Sequence, residues 1–140
     1  MRVIRSNPSS VAPPVGNYSH AVLAETGEAT WIHVSGQLAL DETGALVGQG
    51  DLAAQTKQVF ENLRRILDAC GASFDDVVKI QTFVTTFDGF AESREVRARY
   101  VPADPPASTA VRVAALVMPD AMIEVDLVAV VPRRGRGEKT

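Results

Sequence analysis

The stretch Pro105–Val131, PPASTAVRVAALVMPDAMIEVDLVAVV, predicts two β-strands that are separated at Pro119-Asp120. Apolar residues alternate with small or polar ones at a period of two, which is typical of strands with one buried face. The apolar set should pack on helices, and it comprises Thr109, Val111, Val113, Ile123, Val125, Leu127 and Ala129. The second set needs water, a ligand or another chain, and it includes Ser108, Arg112, Glu124 and Asp126.

Upstream of this stretch, the sequence predicts a helix, a strand and a second helix. The first helix spans Asp51–Cys70, with Asp51 as its N-cap and Gly71 as its stop signal. The β-branched and aromatic residues of Asp76–Phe87 predict a strand. Asp88 should cap the second helix, which extends to Tyr100.

The N-terminal part predicts further strands. These are Met1–Ile4, His20–Ala24 and Ala29–Val34, and Ser35-Gly36-Gln37 indicates a β-bulge or the close approach of another group. The order of the elements favours an α+β fold in which both helices cover one face of a sheet. The other face is then bare, and a partner subunit is its natural cover.

Composition limits the class of protein. A chain of 140 residues with 46% apolar content indicates one domain, which we assign to residues 1–131, followed by a basic flexible tail at 132–140. The net charge of -3 argues against nucleic-acid binding. A single cysteine, no signal peptide and no membrane-spanning run predict a soluble cytoplasmic protein.

No sequence motif for a cofactor, a metal ion or a nucleophile is present. His20 and His33 have no carboxylate pattern near them, which argues against a metal site, and Cys70 ends an apolar helix stripe as a small core residue. We therefore expect neither a cofactor nor a metal. From the residues alone, the polar strand face is either a solvated surface or a binding site.

Several segments resemble the Rid family, also called the YjgF-like proteins. They occur in the family's order and spacing over nearly the whole chain, and they are 16–22 (GNYSHAV), 34–37 (VSGQ), 61–71 (ENLRRILDACG), 75–79 (DDVVK), 106–108 (PAS) and 123–125 (IEV). The resemblance implies a chorismate-mutase-like α+β fold with a mixed or antiparallel sheet. It also implies a homotrimer with a cleft between each pair of subunits.

The resemblance further implies hydrolysis of enamines and imines, derived from amino acids, to a keto acid and ammonia. By position, Glu124 matches the glutamate that positions water, and Tyr18, Ser35 and Gly36 match residues that line the cleft. Ala110 stands where many members have a cysteine.

Ser108 stands where the family has the arginine that grips the substrate carboxylate. A hydroxyl cannot replace two charge-assisted bonds, so the usual anionic substrate should bind at least ~10-fold more weakly. Arg94, at a position that borders the cleft in the family, is our candidate for restoring anion binding. Arg112 is too far along its strand to do so.

Two functions from different classes follow from the resemblance. The first is imine or enamine deamination of a small carboxylated metabolite, with a divergent substrate such as an aminomuconate-like compound. The alternative is a non-catalytic trimer that binds metabolites or acts like a chaperone, having lost activity through Ser108. Endoribonuclease activity is attached to some relatives, but the acidic charge argues against it here.

Overall fold

The computed structural model describes residues 1–133, whose strands form one six-stranded sheet. The strands are β1 (Arg2–Ser6), β2 (Ala21–Thr26), β3 (Ala29–Gln37), β4 (Val77–Val84), β5 (Ala107–Arg112) and β6 (Ile123–Pro132). Their order across the sheet is β1-β2-β3-β6-β4-β5, and β4 and β5 pair in parallel whereas the other neighbours pair antiparallel. The sheet is therefore mixed, and the strands flanking Pro119 are separated by β4.

The first helix, α1 (Leu52–Ala69), begins and ends as its sequence predicts. The Asp51 carboxylate accepts a hydrogen bond from the Ala54 N–H at 3.0 Å. After the helix, Gly71 adopts a φ of 75°, a left-handed conformation that costs glycine little. The Ala72 N–H then donates to the Leu67 carbonyl at 2.9 Å, which closes the last turn.

The second helix, α2 (Phe90–Arg97), is shorter than predicted, and the assignment of Asp88 as its cap is wrong. The N-cap is Gly89, whose φ of 78° lies in the left-handed region. The Asp88 N–H instead donates to the Thr86 hydroxyl at 3.0 Å, within the turn that precedes the helix. The helix thus begins one residue later than predicted and has no side-chain cap.

Both helices lie on one face of the sheet, as predicted. The α1 stripe is fully buried, and it comprises Val59, Phe60, Leu63, Ile66 and Leu67. Helix α2 packs beside α1, where the Thr56 and Ser93 hydroxyls lie 2.6 Å apart. The opposite face of the sheet carries Trp31 and Val111, each 41% exposed. This face therefore leaves apolar side chains exposed in a single chain.

The prediction that Thr109 and Val111 pack on the helices is wrong. Strand β5 pairs with β4 so that Ser108 lies opposite Ile80, which is buried under the helices. Residues directly opposite each other in a sheet share a face. Thr109 and Val111 therefore lie on the uncovered face, and Ser108 lies on the helix side. The strand also ends at Arg112 and does not continue towards Pro119.

The first two residues of the predicted tail, Pro132 and Arg133, lie within the described part of the chain. Pro132 belongs to β6, and the Arg133 N–H donates to the Glu28 carbonyl at 2.7 Å. The remainder of the predicted tail, 134–140, lies outside the described residues. Within residues 1–133, neither helix combines the length and the apolar character that crossing a membrane requires.

Candidate functional site

Glu124 lies near the start of β6 on the sheet face that the helices leave uncovered. Its neighbours Ile123 and Val125 are buried in the core, so the strand directs the Glu124 side chain to the other side. Glu124 lies opposite Phe83 of β4 and remains half-buried there. Asp126 shares this face, as the sequence predicts, and the Gln81 amide nitrogen can donate to its two carboxylate oxygens at 3.2 and 3.3 Å.

Gly36 makes room for the Glu124 carboxylate. The pairing of β3 with β6 slips between Val34 and Gln37, which confirms the predicted bulge. A Cβ atom on Gly36 would lie 2.8 Å from the Glu124 Cδ, closer than real Cβ contacts allow. The predicted close approach is therefore also present, and it is made by the side chain of the candidate catalytic residue.

Ser35 has a structural role in the same bulge. Its hydroxyl donates to the Ser19 carbonyl at 2.6 Å, and its N–H donates to the His20 carbonyl at 2.8 Å. These bonds attach the loop that carries Tyr18 to β3. Ser35 thus fixes this loop in place and does not line the cavity beside Glu124.

His20 and Gln37 complete the attachment of that loop, and the sequence analysis gave neither of them a role at the site. The His20 Nε2 lies 2.6 Å from the Ala12 carbonyl, and the Gln37 Nε2 lies 3.2 Å from the His20 Nδ1. Because a carbonyl oxygen only accepts, the His20 Nε2–H donates to Ala12, and the Gln37 amide nitrogen donates to the His20 Nδ1. A polar pair so deeply buried fixes one loop conformation.

Tyr18, Gly36 and Glu124 line one small cavity, so three of the predicted site residues come together. Its volume is about 40 Å³, and Leu38, Asn62 and Val117 are among its other walls. A polar space of this size can hold water, which needs roughly 10–15 Å³. Burial, followed by the charge of Asp126, raises the pKa of the Glu124 carboxyl. A carboxyl with a raised pKa beside a water site can exchange protons with that water.

A second pocket lies on the other side of the sheet, between α2 and β5. It brings together Arg94, Ser108 and Ala110, and its volume is about 580 Å³. The pocket also contains Arg97, which sequence reasoning missed. The Arg97 Nη2 donates to the Ser108 hydroxyl at 3.1 Å. The sequence feature that could have identified Arg97 is its position one helical turn after Arg94, which places both arginines on the same side of α2.

The predicted site residues therefore lie in two separate places in one chain. Ser108 lies on the helix side of the sheet, whereas Glu124 lies on the uncovered side. The prediction that Arg112 shares a face with Glu124 is also wrong. Arg112 lies opposite the buried Val84, and its Nε donates to the Thr85 carbonyl at 3.4 Å. The parallel pairing with β4 sets this orientation.

In the described part of the chain, residues 1–133, no group of three or more His, Cys, Asp or Glu side chains is placed to hold a metal ion. The site's chemical groups are thus one carboxyl beside a water-sized cavity and two guanidiniums in an open pocket. Such groups can position water, transfer a proton and bind an anion.

Comparison with known proteins gives consistent matches over most of the chain. The 3-aminoacrylate deaminase RutC of Acinetobacter baylyi is 38% identical over 122 residues, which cover 87% of this chain and 93% of that protein. The crystal structure of RidA from an Antarctic Psychrobacter has a TM-score of 0.78 at 33% identity, covering 89% of this chain and 97% of the other. E. coli TdcF, crystallised with bound serine, has a TM-score of 0.79 at 26% identity, covering 91% of this chain and 98% of the other.

The family model described as Endoribonuclease L-PSP matches residues 9–131. That range contains every predicted site residue, from Tyr18 to Glu124. The matched range and the RutC and RidA similarities agree with the α+β fold and with the resemblance in the sequence. The chain belongs to the Endoribonuclease L-PSP family, which includes the RutC and Rid proteins.

Proposed function

We propose that this protein is an imine or enamine deaminase that acts as a homotrimer. The main support for this proposal is the half-buried Glu124 carboxyl, which lies beside a cavity large enough for water. Similarity to a 3-aminoacrylate deaminase supports this class of reaction. The reaction we propose adds water to the carbon of a C=N bond, breaks the C–N bond, and releases a keto acid and ammonia.

Glu124 has two tasks in this reaction. In its ionised form it accepts a proton from the water that attacks the imine carbon, and in its protonated form it donates that proton to the departing nitrogen. The raised pKa of Glu124 brings the two forms closer in population near neutral pH. Tyr18 borders the same cavity and closes one side of it.

The active cleft is proposed to form between two subunits. Glu124 and the pocket that contains Ser108, Arg94 and Arg97 lie on opposite sides of one sheet, so a small substrate cannot touch both within one chain. The uncovered face that carries Glu124 also bears exposed apolar side chains. A second copy that covers this face would bring its own arginine pocket to Glu124, and closed rings are the usual result of such head-to-tail contacts.

The proposed substrate is a small carboxylated imine or enamine. TdcF, with its bound serine, shows that a neighbour in this fold holds a small amino acid. Because Ser108 stands at the position where the resemblance predicts an arginine, we propose a substrate other than the simplest imino acids, such as an aminomuconate-like compound.

The test generates imines in place with an amino-acid oxidase and follows their trapping by semicarbazide. Wild type should convert the imine to keto acid, which semicarbazide traps more slowly, and so lower the initial rate of semicarbazone formation. Glu124→Gln should slow the conversion of imine to keto acid by roughly 100-fold or more. Glu42→Gln, in an exposed turn, is the matched control and should act as wild type. No effect of wild type on a panel of imines would instead favour the non-catalytic metabolite-binding trimer.

The family description also makes RNA a substrate to test. Cleavage of labelled RNA by wild type that disappears in Glu124→Gln would assign RNA hydrolysis to this site and contradict the deaminase proposal as the sole activity. RNA cleavage that persists in Glu124→Gln would arise from a site other than Glu124 or from a contaminating nuclease.

A further inference from the structure

The pocket between α2 and β5 is cationic and has no acidic wall. Its polar side chains are Arg94, Arg97 and Ser108, and its other walls are apolar or small: Phe90, Ala98, Val101, Pro102, Ala103, Pro105 and Ala110. Among residues 1–133, no carboxylate lies within ion-pair distance of Arg94 or Arg97. Two positive charges therefore share one concave, mainly apolar space.

Arg97 is the more buried of the two arginines, and its orientation is fixed. One guanidinium nitrogen donates to the Ser108 hydroxyl at 3.1 Å. A guanidinium has further N–H donors in the same plane, and these remain for a ligand. Because the Ser108 oxygen accepts from Arg97, the hydroxyl hydrogen is also left to donate into the pocket.

This arrangement carries an electrostatic cost in the absence of an anion. Burial, followed by the charge of Arg94, lowers the pKa of the Arg97 guanidinium. Like charges one helical turn apart also destabilise the helix that carries them. A bound anion would offset both effects, and guanidinium groups bind carboxylates through paired charge-assisted hydrogen bonds.

We propose that Arg97, oriented by Ser108, binds the substrate carboxylate, and that the more exposed Arg94 binds a second carboxylate, so that the pocket selects dicarboxylates over monocarboxylates. This inference rests on the proposed function and specifies its substrate class. It replaces the expectation that Arg94 alone restores anion binding.

The rest of the pocket fits such a ligand. A volume of about 580 Å³ lies within the range of small-molecule sites. Phe90, Val101 and Pro102 offer apolar surface for the carbon chain between the two carboxylates. The substrate class is therefore a short dicarboxylic imine or enamine.

The test measures binding by calorimetry with two stable keto acids as probes, 2-oxoglutarate with two carboxylates and 2-oxobutyrate with one. Wild type should bind 2-oxoglutarate about tenfold more tightly, the effect of one additional charge-assisted contact. Arg97→Met should weaken the binding of both probes by about tenfold or more, and Arg97→Lys should recover only part of it. Arg94→Met should remove the preference for 2-oxoglutarate, because it should weaken the binding of 2-oxoglutarate far more than that of 2-oxobutyrate.

Arg99→Met is the matched control, because Arg99 is exposed next to α2 and does not line the pocket. It should bind both probes as wild type does. Equal affinity of wild type for the two probes, or wild-type binding by Arg97→Met, would overturn the proposal. Loss of the oligomer in Arg97→Met, measured by light scattering, would also overturn it, because the weaker binding would then follow from the lost assembly and not from a lost contact between Arg97 and the carboxylate.

Binding and turnover are measured separately, so the two proposals can fail independently. If wild type deaminates imines but Arg97→Met binds both probes as wild type does, the assignment of a dicarboxylate site is wrong and the proposed deaminase function is supported. If the binding pattern holds but no imine is hydrolysed, the proposed function is wrong and the pocket remains a dicarboxylate site.

Discussion

Gly36 is the residue on which the position of Glu124 depends most directly. The carboxylate occupies the space that a side chain at position 36 would need, with Glu124 Cδ 2.8 Å from the ideal Cβ position. The obstruction is a flexible side chain, so an alanine can be accommodated by moving Glu124. The fold then survives while the carboxyl leaves its cavity.

Gly36→Ala should therefore lower imine hydrolysis by about 100-fold while the far-UV circular dichroism stays that of wild type. The double-mutant cycle with Glu124→Ala is the control for stability. The cost of Gly36→Ala in free energy of unfolding should shrink when Glu124 is already truncated. An equal cost in both backgrounds would show that the glycine serves the backbone of the bulge alone.

The burial of Glu124 predicts a pH-dependent stability difference. Its pKa is raised in the folded protein, so its contribution to stability is fully present below its unfolded pKa and is lost as pH rises through the folded pKa. At pH 7 the ionised form is thus penalised by folding. Glu124→Gln cannot ionise and should raise the free energy of unfolding at pH 7 by up to about 1 kcal/mol.

Below about pH 4 this advantage of Glu124→Gln should disappear, because the wild-type carboxyl is then protonated in both states. Urea unfolding of the two proteins at pH 4 and pH 7 makes the comparison. A difference of the same size at both pH values, or a less stable variant at pH 7, would contradict the burial that we assign to Glu124.

At the scale of elements, α1 fixes the segment that leads into β6. The buried Gln55 amide donates to the Gly48 and Asp120 carbonyls at 3.2 and 3.0 Å, and its oxygen accepts from the Met122 N–H at 2.8 Å. Met122 directly precedes β6, so one side chain of α1 sets where this strand starts. Because Glu124 is the second residue of β6, its position depends on where the strand starts.

Gln55→Leu would leave these three backbone groups without their partner. We expect a loss of about 3 kcal/mol or more in the free energy of unfolding, since each of the three unsatisfied groups costs about 1–3 kcal/mol. Lys57→Leu, at an exposed position of the same helix, should change it by less than about 0.5 kcal/mol. Chemical denaturation provides both values, and similar losses in the two variants would remove Gln55 from this role.

Some elements could be predicted well from the sequence, because one face of each is buried and the other is not, and this contrast leaves a periodic pattern. Helix α1 has a capping aspartate, an apolar stripe and a terminal glycine, and β6 alternates between buried and half-buried residues from Ile123 to Val130. Strand β5 lacks that contrast, because it is an edge strand whose residues are all exposed in one chain. Its orientation comes from its parallel pairing with β4, which no local pattern contains.

The same physical reason explains which part of the site was missed. Glu124, Gly36 and Tyr18 could be placed together from the resemblance, and they line one cavity. Arg97 could not be assigned to the site from the sequence, because its role depends on the orientation of Ser108. A charged residue on a helix normally indicates only a solvated face.

At the scale of the whole molecule, the uncovered sheet face is proposed to be the subunit interface. Val111→Asp would place a charge at its exposed β5 end without disturbing the core of one chain. We expect this variant to lose the trimer in light scattering while remaining folded. Ala69→Asp adds the same charge at the exposed end of α1 and should remain trimeric. A trimer in both variants would place the interface elsewhere.

The most direct test of a cleft shared by two chains is subunit mixing. Glu124→Gln and Arg97→Met chains, each inactive or weakly active alone, are unfolded together in equal amounts and refolded. In a closed ring of three, every mixed trimer then contains one cleft with an intact Glu124 and an intact Arg97 from different chains. The account predicts recovery of about one quarter of wild-type activity, whereas a mixture no more active than its separate components would contradict it.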